Sequence, residues 1–300
     1  MRVAGLTAAV LLLAASPVVA RMHAGPNVLR AGHRLAGAIA PLDGGGSFAS
    51  PAGAYSFRKL KSGYAGPGIK LRRASDNATQ NINFLGFTGF TGAPLDVAAA
   101  SAFCSATTCT MDTWYDQSGN ARHIAQGFGP GQPDFVANCL GGQPCLQLSN
   151  SGMTLQSASV TPATGVQSLS AVANRNAGTT GVGRIALLNG DVNRLYTGGA
   201  ANTWVWDAAT GGGGSLAVAA ADAAWHAFQG TLNGASSYAF LDGTATTGTL
   251  TGSAAAGVYG NIGPSVGSIR EAELIIWDNY ALTPAERAAL TSNQRQYWGF

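Results

Sequence analysis

Charge is scarce in this chain. Only 10% of its 300 residues are charged, and the formal net charge is +3. That excludes the strongly basic surface on which nucleic-acid binding rests. The two short basic runs, Arg58-Lys59-Leu60-Lys61 and Lys70-Leu71-Arg72-Arg73, are read instead as the solvated face of one hairpin. Histidine is limited to His23, His33, His123 and His226, with no triad or metal-ligand order, so neither a metal nor a cofactor is expected. Cysteine is limited to Cys104, Cys109, Cys139 and Cys145, whose spacings are not those of a zinc site. Beyond the first twenty residues no apolar run reaches the roughly 20 residues of a membrane-spanning helix, so no membrane partner is expected.

Those twenty residues read as a secretory signal peptide. Arg2 supplies the positive start, Leu6–Ala15 the apolar run, Ser16-Pro17 a break, and Val18-Val19-Ala20 a small residue for cleavage near Ala20. The expected product is a secreted or periplasmic protein starting near Arg21. An even number of cysteines in an oxidising compartment points to two disulfides. Three connectivities are open, with the local pairs Cys104–Cys109 and Cys139–Cys145 preferred.

What the chain has in quantity is glycine, 42 residues, with abundant Ala, Thr, Ser and Asn. Residues 21–53 show little periodicity and read as a loosely structured lead-in. Residues 54–300 alternate short apolar runs with turn signals, the pattern of one all-β sandwich or barrel. The expected strands are Ile69–Arg73, Asn81–Phe84, Cys109–Tyr115, Pro133–Val136, Cys145–Leu148, Ser168–Ala173, Arg184–Leu188, Thr203–Asp207, Trp225–Leu232, Ser237–Leu241 and Ser268–Trp277. Asp242-Gly243 and Asn189-Gly190 are hairpin signals. Two helices are expected. One covers Leu95–Phe103. The other follows Thr283-Pro284-Ala285-Glu286, a capping box with Pro in the first turn.

Two segments carry a family resemblance. YSFRKLKSGYAGPGIKLRRASDNATQNI (55–82) and FCSATTCTMDTWYDQSGNARH (103–123) hold, in order, a Y-x-G-P, a basic strand ending in S-D-x-A-T, an F-C-x-x-T-T-C and a Y-D-Q-S-G followed by His. The chain here resembles the catalytic domain of the α-L-arabinofuranosidase B type, glycoside hydrolase family 54. The closing stretch, GSIREAELIIWDNYALTPAERAALTSNQRQYWGF (267–300), is similar to the last strand and helix of concanavalin A-like lectin/glucanase sandwiches. The resemblance implies a two-sheet jelly roll with a few short helices, one of them at the C-terminus. It also implies a Cys104–Cys109 disulfide. Its functional implication is a glycoside hydrolase of arabinan catabolism, removing arabinofuranosyl groups from an arabinose-containing polysaccharide or other glycan.

Glycosidases need two carboxyl groups about 5–5.5 Å apart for retention, or about 6.5–9.5 Å for inversion. Asp112 and Asp116, four residues apart on one strand, stand roughly 13 Å apart, too far for a pair. Asp116 is read as a turn-binding residue and His123 as fixing the same loop. Glu271 and Glu273, two residues apart, are expected to share a strand face. The alternative for them is an ion pair with Arg270 or Arg287. The family's nucleophile segment has its counterpart at Leu187–Asn193, where Asp191 is the one carboxylate between Asp134 and Asp207. The segment matching the family's general acid, Gly260–Gly267, holds no acid, which leaves Glu271 to donate the proton. The candidate catalytic residues are therefore Asp191 and Glu271. Trp204 and Trp206, alternating on one strand, are candidates to stack on sugar, with Asp207, Asn189 and Asn193 as polar partners. Against the enzyme stands a second reading, a lectin-like sandwich that binds glycan without cleaving it.

Overall fold

The computed structural model describes residues 40–43, 48–86, 92–150, 152–157, 159–160, 165–175, 182–188, 193–198, 203–208, 213–220, 222–251, 257–258, 262–263 and 268–300. The chain divides into two compact units, Met1–Ala36 and Gly37–Phe300. The first, which holds the segment read as a signal peptide, lies outside the described residues.

The second unit is built from strands β1 (Gly53–Ser56), β2 (Ile69–Arg73), β3 (Thr79–Ile82), β4 (Cys109–Trp114), β5 (Ile124–Ala125), β6 (Asp134–Leu140), β7 (Gln143–Leu148), β8 (Ser159–Val160) and β9 (Gln167–Arg175). It continues with β10 (Gly183–Leu188), β11 (Asn193–Gly198), β12 (Thr203–Ala208), β13 (Ser215–Ala220), β14 (Trp225–Leu232), β15 (Gly234–Leu241), β16 (Thr244–Leu250), β17 (Gly257–Val258) and β18 (Ile269–Asp278). Helices α1 (Val97–Phe103) and α2 (Pro284–Trp298) complete it.

One twelve-stranded sheet runs β16-β15-β14-β9-β18-β7-β6-β4-β2-β3, with β1 added to β18 and β5 to β4. A four-stranded sheet, β10-β11-β12-β13, packs on it, and β17-β8 form a small third ribbon. The strand pairings are antiparallel. The core lies between the two larger sheets. Leu169, Ala171, Phe228 and Leu274 from one meet Ile185, Leu195, Trp204 and Trp206 from the other. The architecture is the expected concanavalin A-like sandwich.

Each expected strand has a counterpart, and the shifts have local causes. The strand expected at Asn81–Phe84 begins at Thr79, because the turn closes earlier: Asn77 takes a left-handed conformation and Arg73 N donates to Ala78 O. Helix α1 starts at Val97 rather than Leu95, since Leu95 bridges to Phe84 and the Asp96 carboxylate accepts from Ala99 N. Helix α2 carries the expected capping box between Thr283 and Glu286 and stops at Gly299, at φ +77°. Asp242-Gly243 make the two-residue turn between β15 and β16, both at positive φ, with Leu241 opposite Thr244. Strands β10 and β11 pair from Leu188↔Asn193, but Asn189-Gly190 themselves lie outside the described residues.

The outer face of the large sheet is covered by α2 and by part of the lead-in. Leu42, Ala54, Leu60, Ile275, Trp277, Leu282 and Leu290 form a second apolar cluster there. Both preferred disulfides are present. Cys104–Cys109 ties the end of α1 to β4, and Cys139–Cys145 spans the β6–β7 hairpin.

Candidate functional site

The closing strand β18 decides where the acidic groups point. Glu271 pairs with Ala173 and Glu273 with Val172, so β18 carries one extra residue between them. This bulge breaks the simple alternation of the strand. Glu271 therefore faces inward, beside Leu146 and Ala173, while Glu273 faces outward toward α2. The expectation that the two share a face is overturned by that one residue, and they are not a catalytic pair.

Glu273 is structural. Its carboxylate accepts from Arg58 Nε at 2.7 Å and Arg58 Nη2 at 3.0 Å. Ser56 Oγ and Gln294 Nε2 complete the set. The partner is neither Arg270, which donates to Gln147, nor Arg287, which lies over the Tyr238 ring.

Glu271 is the opposite case. It is fully buried, and neither carboxyl oxygen has a hydrogen-bond partner among the described residues. Burial alone pushes its pKa well above the usual carboxylate range, which favours the protonated form. Strand register places its surroundings. Ala173 on β9 stands opposite both Glu271 and His226 of β14. Two strand spacings put the Glu271 and His226 backbones roughly 10 Å apart on this face. Trp204 stacks edge-on to His226 at 5.3 Å, and Thr197 lies beside Trp204 on β11. The Thr197 hydroxyl and the Trp204 ring N–H are likewise buried without partners among the described residues. One end of the sandwich interior thus gathers several polar groups that the fold itself does not satisfy, a state native interiors rarely tolerate without a use for it.

His226 was not singled out by its sequence context. Its Nδ1 meets Asp242 at 2.5 Å and its Nε2 meets Asp222 at 2.8 Å. Burial lowers its pKa, but the two carboxylates outweigh that and raise it above the ordinary value. The legible signal was only Asp242 in its hairpin turn.

The other candidates fall as follows. Trp204 and Trp206 have no exposed surface. Trp206 lies against Phe228 and Gly230, and Trp204 stacks on Phe228 and His226. Rings so enclosed are core and cannot stack on a sugar in this state. Asp207 faces the other way on β12 and forms an ion pair with Arg194. Asn193 is buried and donates to Gln167 Oε1 at 2.7 Å, joining the two sheets. Gln167 pairs with Asp278, at the opposite end of β9 from Ala173 and Glu271. Six residues of β9 separate the two positions, roughly 20 Å. Asn189 and Asp191 lie outside the described residues, as does Gly260–Gly267 apart from Ile262 and Gly263.

The Y-D-Q-S-G loop is structural. The Asp116 carboxylate accepts from the backbone N–H groups of Ala54, Ser118 and Arg122, and His123 Nδ1 accepts from Asp116 N. Asp112 pairs with Lys70 at 2.6 Å and Arg72 at 2.7 Å. Burial raises its pKa, but the hydrogen bonds from Lys70, Thr113 and Arg72 win and hold it below the usual value. Among the described residues no three His, Cys, Asp or Glu are grouped to hold a metal, and no helix is long and apolar enough to cross a membrane.

The fold is a two-sheet β-sandwich. Residues 45–190 are similar to one family, matching the model of "Alpha-L-arabinofuranosidase B, catalytic". A probable α-L-arabinofuranosidase B of Aspergillus terreus is 44% identical over 69 residues, 23% of this chain and 13% of that protein. The corresponding protein of Aspergillus fumigatus is 34% identical over 140 residues, 44% of this chain and 26% of its own length. The chain thus spans about a quarter or less of these curated relatives. A solved arabinofuranosidase complexed with arabinofuranosyl-α-1,2-xylobiose superposes with a TM-score of 0.62 at 20% identity, covering 81% of this chain and 62% of that one. At that identity the superposition shows the fold.

Proposed function

We propose that this protein is an exported glycoside hydrolase of the α-L-arabinofuranosidase type, releasing arabinofuranosyl groups from a polysaccharide. Glu271 carries the reading. A general acid needs its proton retained toward neutral pH, and burial without a partner among the described residues shifts Glu271 in that direction. In this scheme Glu271, as enclosed in this state as Trp204, protonates the leaving-group oxygen once the interior beside it opens to substrate, and Asp191, one residue beyond the matched stretch 45–190, is the candidate nucleophile. The relationship over residues 45–190 supports the substrate class. Two disulfides among the described residues support export to an oxidising compartment.

One observation favours a second reading, a sandwich that binds arabinosyl glycan without cleaving it. Asn193, two residues from Asp191, sits at the far end of β9 from Glu271. Two residues of chain reach about 7 Å. That is short of the roughly 20 Å along the strand.

Hydrolysis of an aryl α-L-arabinofuranoside separates the two. The hydrolase reading expects turnover by the wild type that falls at least a thousandfold in Glu271→Gln and in Asp191→Asn. Turnover unchanged in Glu271→Gln removes Glu271 from the mechanism. No turnover by the wild type, alongside measurable binding of arabino-oligosaccharide, selects the binding reading.

A further inference from the structure

Outside the Glu271 end, a cavity of about 430 Å³ opens where two loops meet. Lys61–Gly66 form one wall and Gln117–Gly119 the other, with Asp43 at the rim. The size lies within the range of small-molecule sites, about 300–1,000 Å³. Glu271 is not among the described residues that line it.

Its chemistry is narrow. The Tyr64 ring is fixed in place: its hydroxyl donates to Pro67 O at 2.8 Å. Only glycine fits beneath it, because a Cβ on Gly66 would lie 2.5 Å from the Tyr64 oxygen. Burial, and next the Asp116 charge, push the phenol up to about 12, so it stays neutral. Gly63 and Gly119 leave the space open, since a Cβ on either meets nothing within 4 Å. Lys61 Nζ donates to Ser118 O at 3.1 Å, which occupies one of its three hydrogens. Asp43 Oδ2 accepts from Ser62 N, which leaves Oδ1 to accept from a ligand. The Gln117 side chain is wall rather than donor, because Leu60 N, Ser56 O and Arg58 O already hold it.

A preformed aromatic face, one cation and one anion whose charges cancel, and glycine-lined room favour a neutral polyhydroxylated ring over an ionic ligand. We propose that this cavity is a second carbohydrate site, holding one sugar unit of a glycan. Tyr64 is its platform, and Lys61 and Asp43 hydrogen-bond the hydroxyls. Because the platform is fixed before binding, little ordering entropy opposes the ligand.

The test uses the full chain in the Glu271→Gln background, so that turnover does not blur binding and the result stands apart from the hydrolase reading. Calorimetric titration with α-1,5-arabinotriose and with xylotriose measures affinity. We expect binding of at least one of them, weakened at least tenfold by Lys61→Met and by Asp43→Asn. Both side chains are at the surface, so neither change threatens the fold. Tyr64→Leu, checked for an unchanged melting temperature, should abolish binding. Affinity within twofold of the parent in both the Lys61 and Asp43 variants, or binding of neither trisaccharide by the parent, overturns the proposal.

Discussion

Arg58 and Glu273 form a two-point ion pair across 215 residues of sequence, with both side chains fully buried. The pair ties the segment after β1 to the closing strand, and Gln294 brings α2 into the same network. Removing one partner strands the other charge in the interior, which costs about 3–5 kcal/mol. Arg58→Met and Glu273→Gln should each lower the urea midpoint accordingly. The Arg58→Met/Glu273→Gln double variant should lose clearly less than the sum of the two. Additive losses in the double variant would show that the residues act independently.

Glu271 should carry a stability cost. Replacing an unpartnered buried polar group by an apolar one of similar size relieves about 1–3 kcal/mol. Glu271→Met is therefore expected to melt higher than the wild type at pH 7. The gap should widen with alkalinity. The folded pKa lies above the unfolded one, so the stability of the protonated form is full at low pH and lost as pH rises through the folded value. A Glu271→Met protein less stable than wild type at every pH would mean that the carboxyl has a partner.

The pH response of His226 has the same sign and a different origin. Its raised folded pKa comes from Asp242 and Asp222 overcoming burial. Its contribution is fully present below the unfolded value of about 6.5 and disappears as pH rises through the folded value. The melting-temperature difference between wild type and His226→Gln should therefore be larger at pH 6 than at pH 9. A difference that grows toward pH 9 contradicts this account.

Gly230 tests the packing of the interior. A Cβ there would sit 2.9 Å from Trp206 Cδ2 and 3.0 Å from Cε2. Gly230→Ala must displace a ring with no free space around it, and about 1–3 kcal/mol of destabilisation is expected. Chemical denaturation with Trp fluorescence reads both the loss and the change in ring environment. A neutral substitution would mean that the two sheets slide apart without cost.

Much of the fold was legible in short-range chemistry. The capping box at Thr283-Glu286, the Asp242-Gly243 turn and the two local cysteine pairs are all signals carried by a few neighbouring residues. Strands β11, β13 and β16 were not legible. Their sequences, NRLYTG, SLAVAA and TATTGTL, lack apolar–polar alternation, and they are strands because neighbours supply the ladder. The site was legible in its inventory of acids but not in its geometry. Alternation placed Glu271 and Glu273 together, and a bulge, which depends on the register of the partner strand β9, separates them. The tryptophans Trp204 and Trp206 show the same limit, because an alternating aromatic pair reads alike whether its face meets solvent or another sheet.

The extra residue in β18 also governs charge balance across the sheet. Adding one residue to β9 between Val172 and Ala173, to face Ala272, would restore plain alternation and turn Glu271 to the helix side, next to Glu273, where Arg58 is the guanidinium already engaged. Two anions would then compete for one cation beneath α2, and the interior would lose its acid. A length change of one amino acid in β9 would thus be a topological rewrite of the molecule's electrostatics, with no alteration of composition elsewhere.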